Sequence, residues 1–222
     1  MMGKEPAVSN LSEDIQKEIV EAHNAFRRAV QPTASNMLKL VWNKQASESA
    51  KKWAGKCEPK SSPMEERTVN GVFCGESISQ SNFVRSWPDV IKLWHSSVSD
   101  FKYGVGAVDP DKNVYGYTQV VWYRTHEIGC ALAYCPQSKH PFFYVCHYCP
   151  AGNILQQMAT PYKQGVPCGD CPNNCEDKLC TNPCKYMDNL SDCQAMVEQF
   201  TCKSPVVVKQ CEATCKCKSH IK

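Results

Sequence analysis

The sequence of 222 residues has no apolar run that approaches about 18 residues, so it contains no candidate membrane-spanning helix. Its first ten residues, Met1 to Asn10, lack the apolar stretch of a secretory signal. It has no excess of one charge: 25 Lys and Arg against 22 Asp and Glu leave +3. That is too mild for a nucleic-acid binder or a polybasic membrane anchor. Gly-x-Ser-x-Gly, phosphate-loop and dinucleotide fingerprints are absent. The histidines His23, His95, His126, His140, His147 and His220 show no metal spacing such as His-x-x-x-His. With 42% apolar and 21% charged residues, the chain can build a packed core, which excludes wholesale disorder.

What the sequence has in abundance is cysteine. Sixteen cysteines, an even number, imply disulfides and an oxidising compartment. The chain therefore reads as a mature secreted protein whose signal has been removed, with Met1 and Met2 as added residues. Six cysteines fall in residues 1–150: Cys57, Cys74, Cys130, Cys135, Cys146 and Cys149. Ten fall between Cys168 and Cys217. The first part can form an ordinary core; the second is too small and needs covalent staples. Pro150 to Pro167, with Gly152, Pro161 and Gly165, reads as a linker or extended segment.

Periodicity predicts three helices in the first part. One carries Ile15, Ile19, Ala22, Phe26 and Val30 on one face, with Ser12 as its cap and Pro32 as its stop. A second spans about Gln45 to Cys57, with Ala46, Ala50, Trp53, Ala54 and Cys57 inward. A third begins at Pro88 and carries Val90, Ile91, Trp94, Val98 and Phe101. Strands are predicted at Leu38–Trp42, Val72–Ile78, Tyr117–Tyr123, Ile128–Tyr134 and Phe142–Tyr148. Mixed elements without βαβ alternation imply an α+β fold, with helices on the faces of a mainly antiparallel sheet. In the last part, Cys184, Cys193, Cys202 and Cys211 are each separated by eight residues, which suits short stapled helical turns.

Four segments carry a family resemblance: Glu18 to Arg28 (EIVEAHNAFRR) running on to Pro32–Lys39, Tyr117 to Trp122 (YTQVVW), Tyr144 to Asn153 (YVCHYCPAGN), and Cys168 to Cys175 (CGDCPNNC) with Cys180 to Cys184 (CTNPC). Together with the cysteine positions, they resemble the cysteine-rich secretory proteins of vertebrate reproductive tracts and reptile venoms. The resemblance implies an α-β-α sandwich over 1–160, a cysteine-rich hinge over 161–183, and a small helical domain over 184–222 similar to channel-blocking anemone toxins. It also implies a pairing: Cys57–Cys135, Cys74–Cys149 and Cys130–Cys146 in the first domain, Cys168–Cys175 and Cys171–Cys180 in the hinge, and Cys184–Cys217, Cys193–Cys211 and Cys202–Cys215 in the last. Cys146-x-x-Cys149 and Cys168-x-x-Cys171 accordingly read as structural bridges rather than zinc or redox motifs.

Family members often line a cleft with two His and two Glu. Carried over position by position, Glu76 matches one glutamate, while Ser61, Ser97 and Gly116 stand at the other three positions. Serine and glycine do not replace imidazole as a zinc donor, so neither a metal, another cofactor nor a catalytic centre is expected. His95 reads as a hydrogen-bonded cleft residue beside Glu76; His23 and His147 read as structural. Asn10 and Asn189 begin glycosylation sequons. From Lys185 to the C-terminus, six Lys and four acidic residues leave +2. There Lys185, Tyr186, Met187, Phe200 and Lys203 mix cationic and apolar groups on a stapled scaffold, a surface suited to capping a channel vestibule. The expected function is a secreted, monomeric, non-enzymatic regulator of membrane ion channels. Gamete-surface binding and sterol carriage are the alternatives; nucleic acid and membrane insertion are not expected.

Overall fold

The computed structural model describes residues 5–222; Met1 and Met2 lie outside them. A short strand, β1 (Ala7–Ser9), leads into helix α1 (Glu13–Arg28). Ser12 caps α1 by accepting the Ile15 N–H at 3.3 Å, and Glu13 and Asp14 complement the helix dipole. The helix ends at Arg28, two residues short of Val30. Strand β2 (Val41–Trp42) is shorter than predicted: Leu38 makes only an isolated bridge, to Cys180. Helix α2 (Lys44–Gly55) is capped by Asn43 Oδ1 on the Ala46 N–H at 2.8 Å. Cys57 lies beyond it at φ +55°, where a helix cannot continue.

The predicted Val72–Ile78 run divides. A small hairpin, β3 (Thr68–Val69) and β4 (Val72–Phe73), precedes β5 (Gly75–Ser81). Helix α3 (Trp87–His95) starts from the Ser86 cap one residue before Pro88 and gives way to a 3₁₀ turn over Ser96–Asp100, so Val98 leaves the buried face. A second hairpin, β6 (Phe101–Lys102) and β7 (Gly106–Ala107), follows.

The predicted strand at Tyr117–Tyr123 is instead helical: α4 spans Tyr115–Val120. Tyr117, Thr118, Gln119, Val120, Val121 and Trp122 are all buried, so their alternation of residue types does not mark an inner and an outer face. The Thr118 hydroxyl bonds the Val114 carbonyl within the helix at 3.2 Å.

Strands β8 (Glu127–Tyr134) and β9 (Phe142–Cys149) complete the sheet, in the order β1-β8-β9-β5, all antiparallel, with β2 added parallel on β8. Helix α2 covers one face through Ala50, Trp53 and Ala54 against Ala131, Ala133, Phe143 and Val145. Gly129 permits this close approach, since a Cβ there would sit 2.0 Å from the Ser47 nitrogen. The opposite face packs Ile19, Trp87, Ile91, Trp94, Tyr117 and Val120 against Ile128, Tyr144 and Tyr148.

Arg27 locks the loops at one end of this core. It is buried without a carboxylate partner and donates to the carbonyls of Leu38, Val120, Trp122, Tyr123 and Thr125 at 2.6–3.3 Å. Five backbone acceptors satisfy the guanidinium fork, and burial pulls its pKa down to about 9.

Pro150 to Pro167 runs along the first domain rather than free of it. Tyr162 is buried, and Ser35 N–H bonds Lys163 O at 2.9 Å. Beyond it come a hairpin, β10 (Cys175–Glu176) and β11 (Leu179–Cys180), and three short helices, α5 (Cys193–Phe200), α6 (Pro205–Gln210) and α7 (Glu212–Lys216).

The bridges are Cys57–Cys135, Cys74–Cys149, Cys130–Cys146, Cys168–Cys175, Cys171–Cys180, Cys184–Cys217, Cys193–Cys211 and Cys202–Cys215. No free cysteine remains. Each bridge contributes roughly 2–4 kcal/mol, chiefly by restricting the unfolded chain.

Candidate functional sites

Glu76 on β5 lies directly across from His147 on β9, so the two side chains share the α2 face of the sheet. The Glu76 carboxylate is nearly sealed from solvent. Its Oε1 accepts the Ser62 N–H at 2.9 Å; its Oε2 accepts the Ser62 hydroxyl at 2.5 Å and His147 Nε2 at 2.8 Å. The Arg67 guanidinium stands 4.0 Å away. Burial would raise the Glu76 pKa, but donors from His147 and Ser62 outweigh it and the net shift is downward. The loop residue that meets Glu76 is thus Ser62, while Ser61 is exposed.

On its other side, His147 Nδ1 lies 2.6 Å from Ser49 Oγ, which also lies 2.9 Å from its own helix carbonyl at Ala46. Serine, imidazole and carboxylate therefore follow one another in triad order. Ser49, however, sits in the middle of α2, whose N–H groups are committed to i−4 carbonyls and so are not free to hold an oxyanion. The array ties α2 and the Ser62 loop to the sheet. No sequence motif marks Ser49 or Ser62; only the strand register that brings Glu76 opposite His147 reveals them.

The other cleft positions make different contacts. Ser97 Oγ accepts the Tyr117 N–H at 3.1 Å and lies 3.3 Å from Trp94 O. Gly116 abuts the same backbone: a Cβ there would lie 2.7 Å from Trp94 O. His95, expected as a hydrogen-bonded cleft residue, is held among the described residues by ring contacts instead. It stacks on Phe26 at 3.8 Å, meets Tyr117 edge-on at 5.3 Å, and is pushed by burial below its usual pKa. His23 donates Nδ1–H to Ile19 O and accepts from the Tyr148 hydroxyl at Nε2, both at 2.8 Å; burial holds it neutral, with a pKa of about 4.

These residues do not fit a zinc ion. Both Glu76 oxygens are occupied by donors, a guanidinium cation stands beside them, and Ser97 is spent on the backbone. Cys168, Cys171 and Cys180 bring their sulfurs together, but all three are oxidised in bridges and offer no thiolate.

In the C-terminal part, Tyr186 and Met187 are 41% and 39% exposed, and Phe200 is 53% exposed. Lys185 and Lys203 are also exposed. The residues fall into two groups. Arg124 of the first domain donates to Tyr186 O at 3.3 Å and approaches Met187 Sδ at 3.1 Å, while Lys216 caps the Tyr186 ring at 4.5 Å. Lys185 and Met187 border a cavity shared with His126 and Glu127 of the first domain. Phe200 closes α5, with Lys203 three residues on, and no hydrogen bond or ring contact joins this pair to the Tyr186 group among the described residues.

The family model described as the cysteine-rich secretory protein family matches residues 20–148, and a second, described as Crisp, matches residues 168–222. The chain belongs to the cysteine-rich secretory protein family. Solved structures agree. BmVAL-1 is 28% identical with a TM-score of 0.66, over 81% of this chain and 98% of that one. NaASP2, in a structure titled as containing Zn2+, is 25% identical with a TM-score of 0.64, over 77% and 97%. Na-ASP-1 is 26% identical with a TM-score of 0.65 over 78% of this chain, which spans about half (48%) of the Na-ASP-1 chain. Family members are in general secreted and non-enzymatic. Membership and eight disulfides together indicate an extracellular protein, and no helix among the described residues is long and apolar enough to cross a membrane.

Proposed function

We propose that this family member is a non-enzymatic regulator that blocks ion channels from their extracellular side, with its C-terminal domain as the principal contact. The observation that carries the reading is the exposure of Phe200 at the end of a helix that Cys193–Cys211 staples in place. A half-exposed phenylalanine on a pre-organised scaffold offers desolvation energy at little entropic cost. Lys203 nearby supplies positive charge for approach to a cation channel's mouth. Tyr186, capped by Lys216, supplies a second aromatic and cationic unit. Lys185 and Met187 contribute less, because they border the first domain. Electrophysiology on potassium, calcium and cyclic-nucleotide-gated channels tests the proposal: block that survives simultaneous replacement of Phe200 and Lys203 by alanine would refute it.

A second reading, sterol or lipid carriage, is favoured by one feature. A groove of about 510 Å³ between α1 and β2 is floored by Val20, Leu40, Val41 and Trp42. A direct sterol-binding assay, with Val41→Asp as the control that should abolish uptake, decides it.

A further inference from the structure

The turn joining β5 to α3, Asn82 to Ser86, projects two apolar side chains into water. Phe83 is 59% exposed and Val84 is 64% exposed. A single exposed apolar residue is ordinary, but two adjacent ones at one turn form a patch. This turn is also held rigidly. The phenol of Tyr144, whose ring is buried under Trp87, accepts the Arg85 N–H at 2.8 Å and donates to the Arg85 carbonyl at 2.9 Å. One hydroxyl thus fixes both backbone groups of the residue behind the apolar pair. Arg85 is fixed as well: its Nε donates to Ser81 Oγ at 3.3 Å and its guanidinium lies over the Phe83 ring at 4.8 Å. The β8–β9 turn lies alongside, joined by His140 Nδ1 to Asn82 Oδ1 at 2.7 Å, and adds exposed Lys139. Neither Ser81–Trp87 nor Pro136–Pro141 contains an acidic residue, whereas together they hold Arg85, Lys139 and His140.

We propose, against the sequence expectation of no membrane insertion, that this turn is a shallow membrane-interface wedge: Phe83 and Val84 enter the headgroup region of a phospholipid bilayer while Arg85 and Lys139 meet anionic phosphates. Two observations favour a lipid surface over a protein partner. The two apolar side chains are adjacent and both more than half exposed at a turn, and a bilayer accommodates such a pair without a complementary pocket. Its flanks are net positive, with Arg85, Lys139 and His140 against the one acidic neighbour, Asp89 in the first turn of α3, and so complement anionic headgroups. The wedge is separate from the C-terminal surface. Ser81 and Phe142 pair at one end of the sheet, whereas Cys149, at the other end of β9, borders the cavity shared with Cys184 and Lys185. The inference therefore does not rest on channel block.

The test is flotation of the whole protein with phosphatidylcholine vesicles, with and without phosphatidylserine, at low and high salt. The expected result is flotation with the phosphatidylserine vesicles, reduced by salt and by Arg85→Gln. It should fall about tenfold or more when Phe83 and Val84 are both replaced by serine, because insertion of the two side chains is lost. Both positions are exposed, so the double variant should keep its melting temperature and its eight bridges. Failure of the wild type to float with phosphatidylserine vesicles, or equal flotation of the folded double variant, would overturn the proposal.

Discussion

His147 Nε2 donates to Glu76 Oε2 at 2.8 Å from the position directly opposite on the neighbouring strand. With Ser62 as the second donor residue, this keeps the carboxylate ionised despite its burial. A carboxyl whose folded pKa is depressed contributes stability above its unfolded value, and that contribution is lost as pH falls through the folded value. Glu76→Gln should therefore destabilise the protein by about 1–3 kcal/mol at neutral pH and flatten the acid limb of its stability curve. Thermal unfolding at a series of pH values checks this. An acid limb unchanged by the substitution would assign acid sensitivity elsewhere, with His23 the next group to examine. Held neutral with a pKa of about 4 against the usual 6.5, His23 loses stability for the fold between those two values as pH falls.

Arg27 ties together the loops around Leu38 and Val120–Thr125. Lysine has no planar fork and cannot reach five carbonyls together. Arg27→Lys should cost roughly 3 kcal/mol or more, since it strands buried acceptors. A melting temperature within a degree or so of the wild type would contradict the assigned role.

Helices α1 and α2 were legible because one face meets water and their apolar period shows, whereas β8 and β9, buried on both faces, were legible as short apolar runs bounded by turn residues. Helix α4 was not, because every residue from Tyr117 to Trp122 is buried and the pattern carries no direction. The site was legible only in part. Glu76 could be found from its place after Cys74-Gly75, but its partners His147, Ser62 and Arg67, and Ser49 behind His147, depend on strand register, on the packing of α2 and on the path of one loop. Likewise, the separation of Phe200 and Lys203 from Tyr186 and Met187 follows from how the last domain meets Arg124, which no spacing encodes.

Zinc should not bind the first domain stoichiometrically. Glu76 is occupied by Ser62 and His147, and Gly116 lies against Trp94 O with no room for a side chain. Calorimetric titration at neutral pH is expected to show only weak, non-saturating heats. A sub-micromolar site abolished by Glu76→Ala would show that the cluster rearranges around a metal.

All sixteen cysteines should resist a thiol reagent in the denatured, unreduced protein. Peptide mapping should join Cys57 to Cys135 and Cys184 to Cys217. Selective loss of the three C-terminal bridges should unfold that part alone, since below about 40 residues a core is rarely sufficient. A free thiol, or a C-terminal part that stays folded when reduced, would contradict the account.

Channel contact through the C-terminal domain, as proposed, is checked by measuring block by the Phe200→Ala and Lys203→Ala variants of the whole protein at low and high salt. A desolvated anchor acts on the off-rate at any ionic strength, whereas an exposed charge acts on the on-rate and is screened. Phe200→Ala should therefore weaken block by roughly 2 kcal/mol or more at both salts, with an unchanged melting temperature, since Phe200 is 53% exposed. Lys203→Ala should weaken it mainly at low salt. Undiminished block by both variants, on a channel that the wild type blocks, would place the contact elsewhere on the molecule.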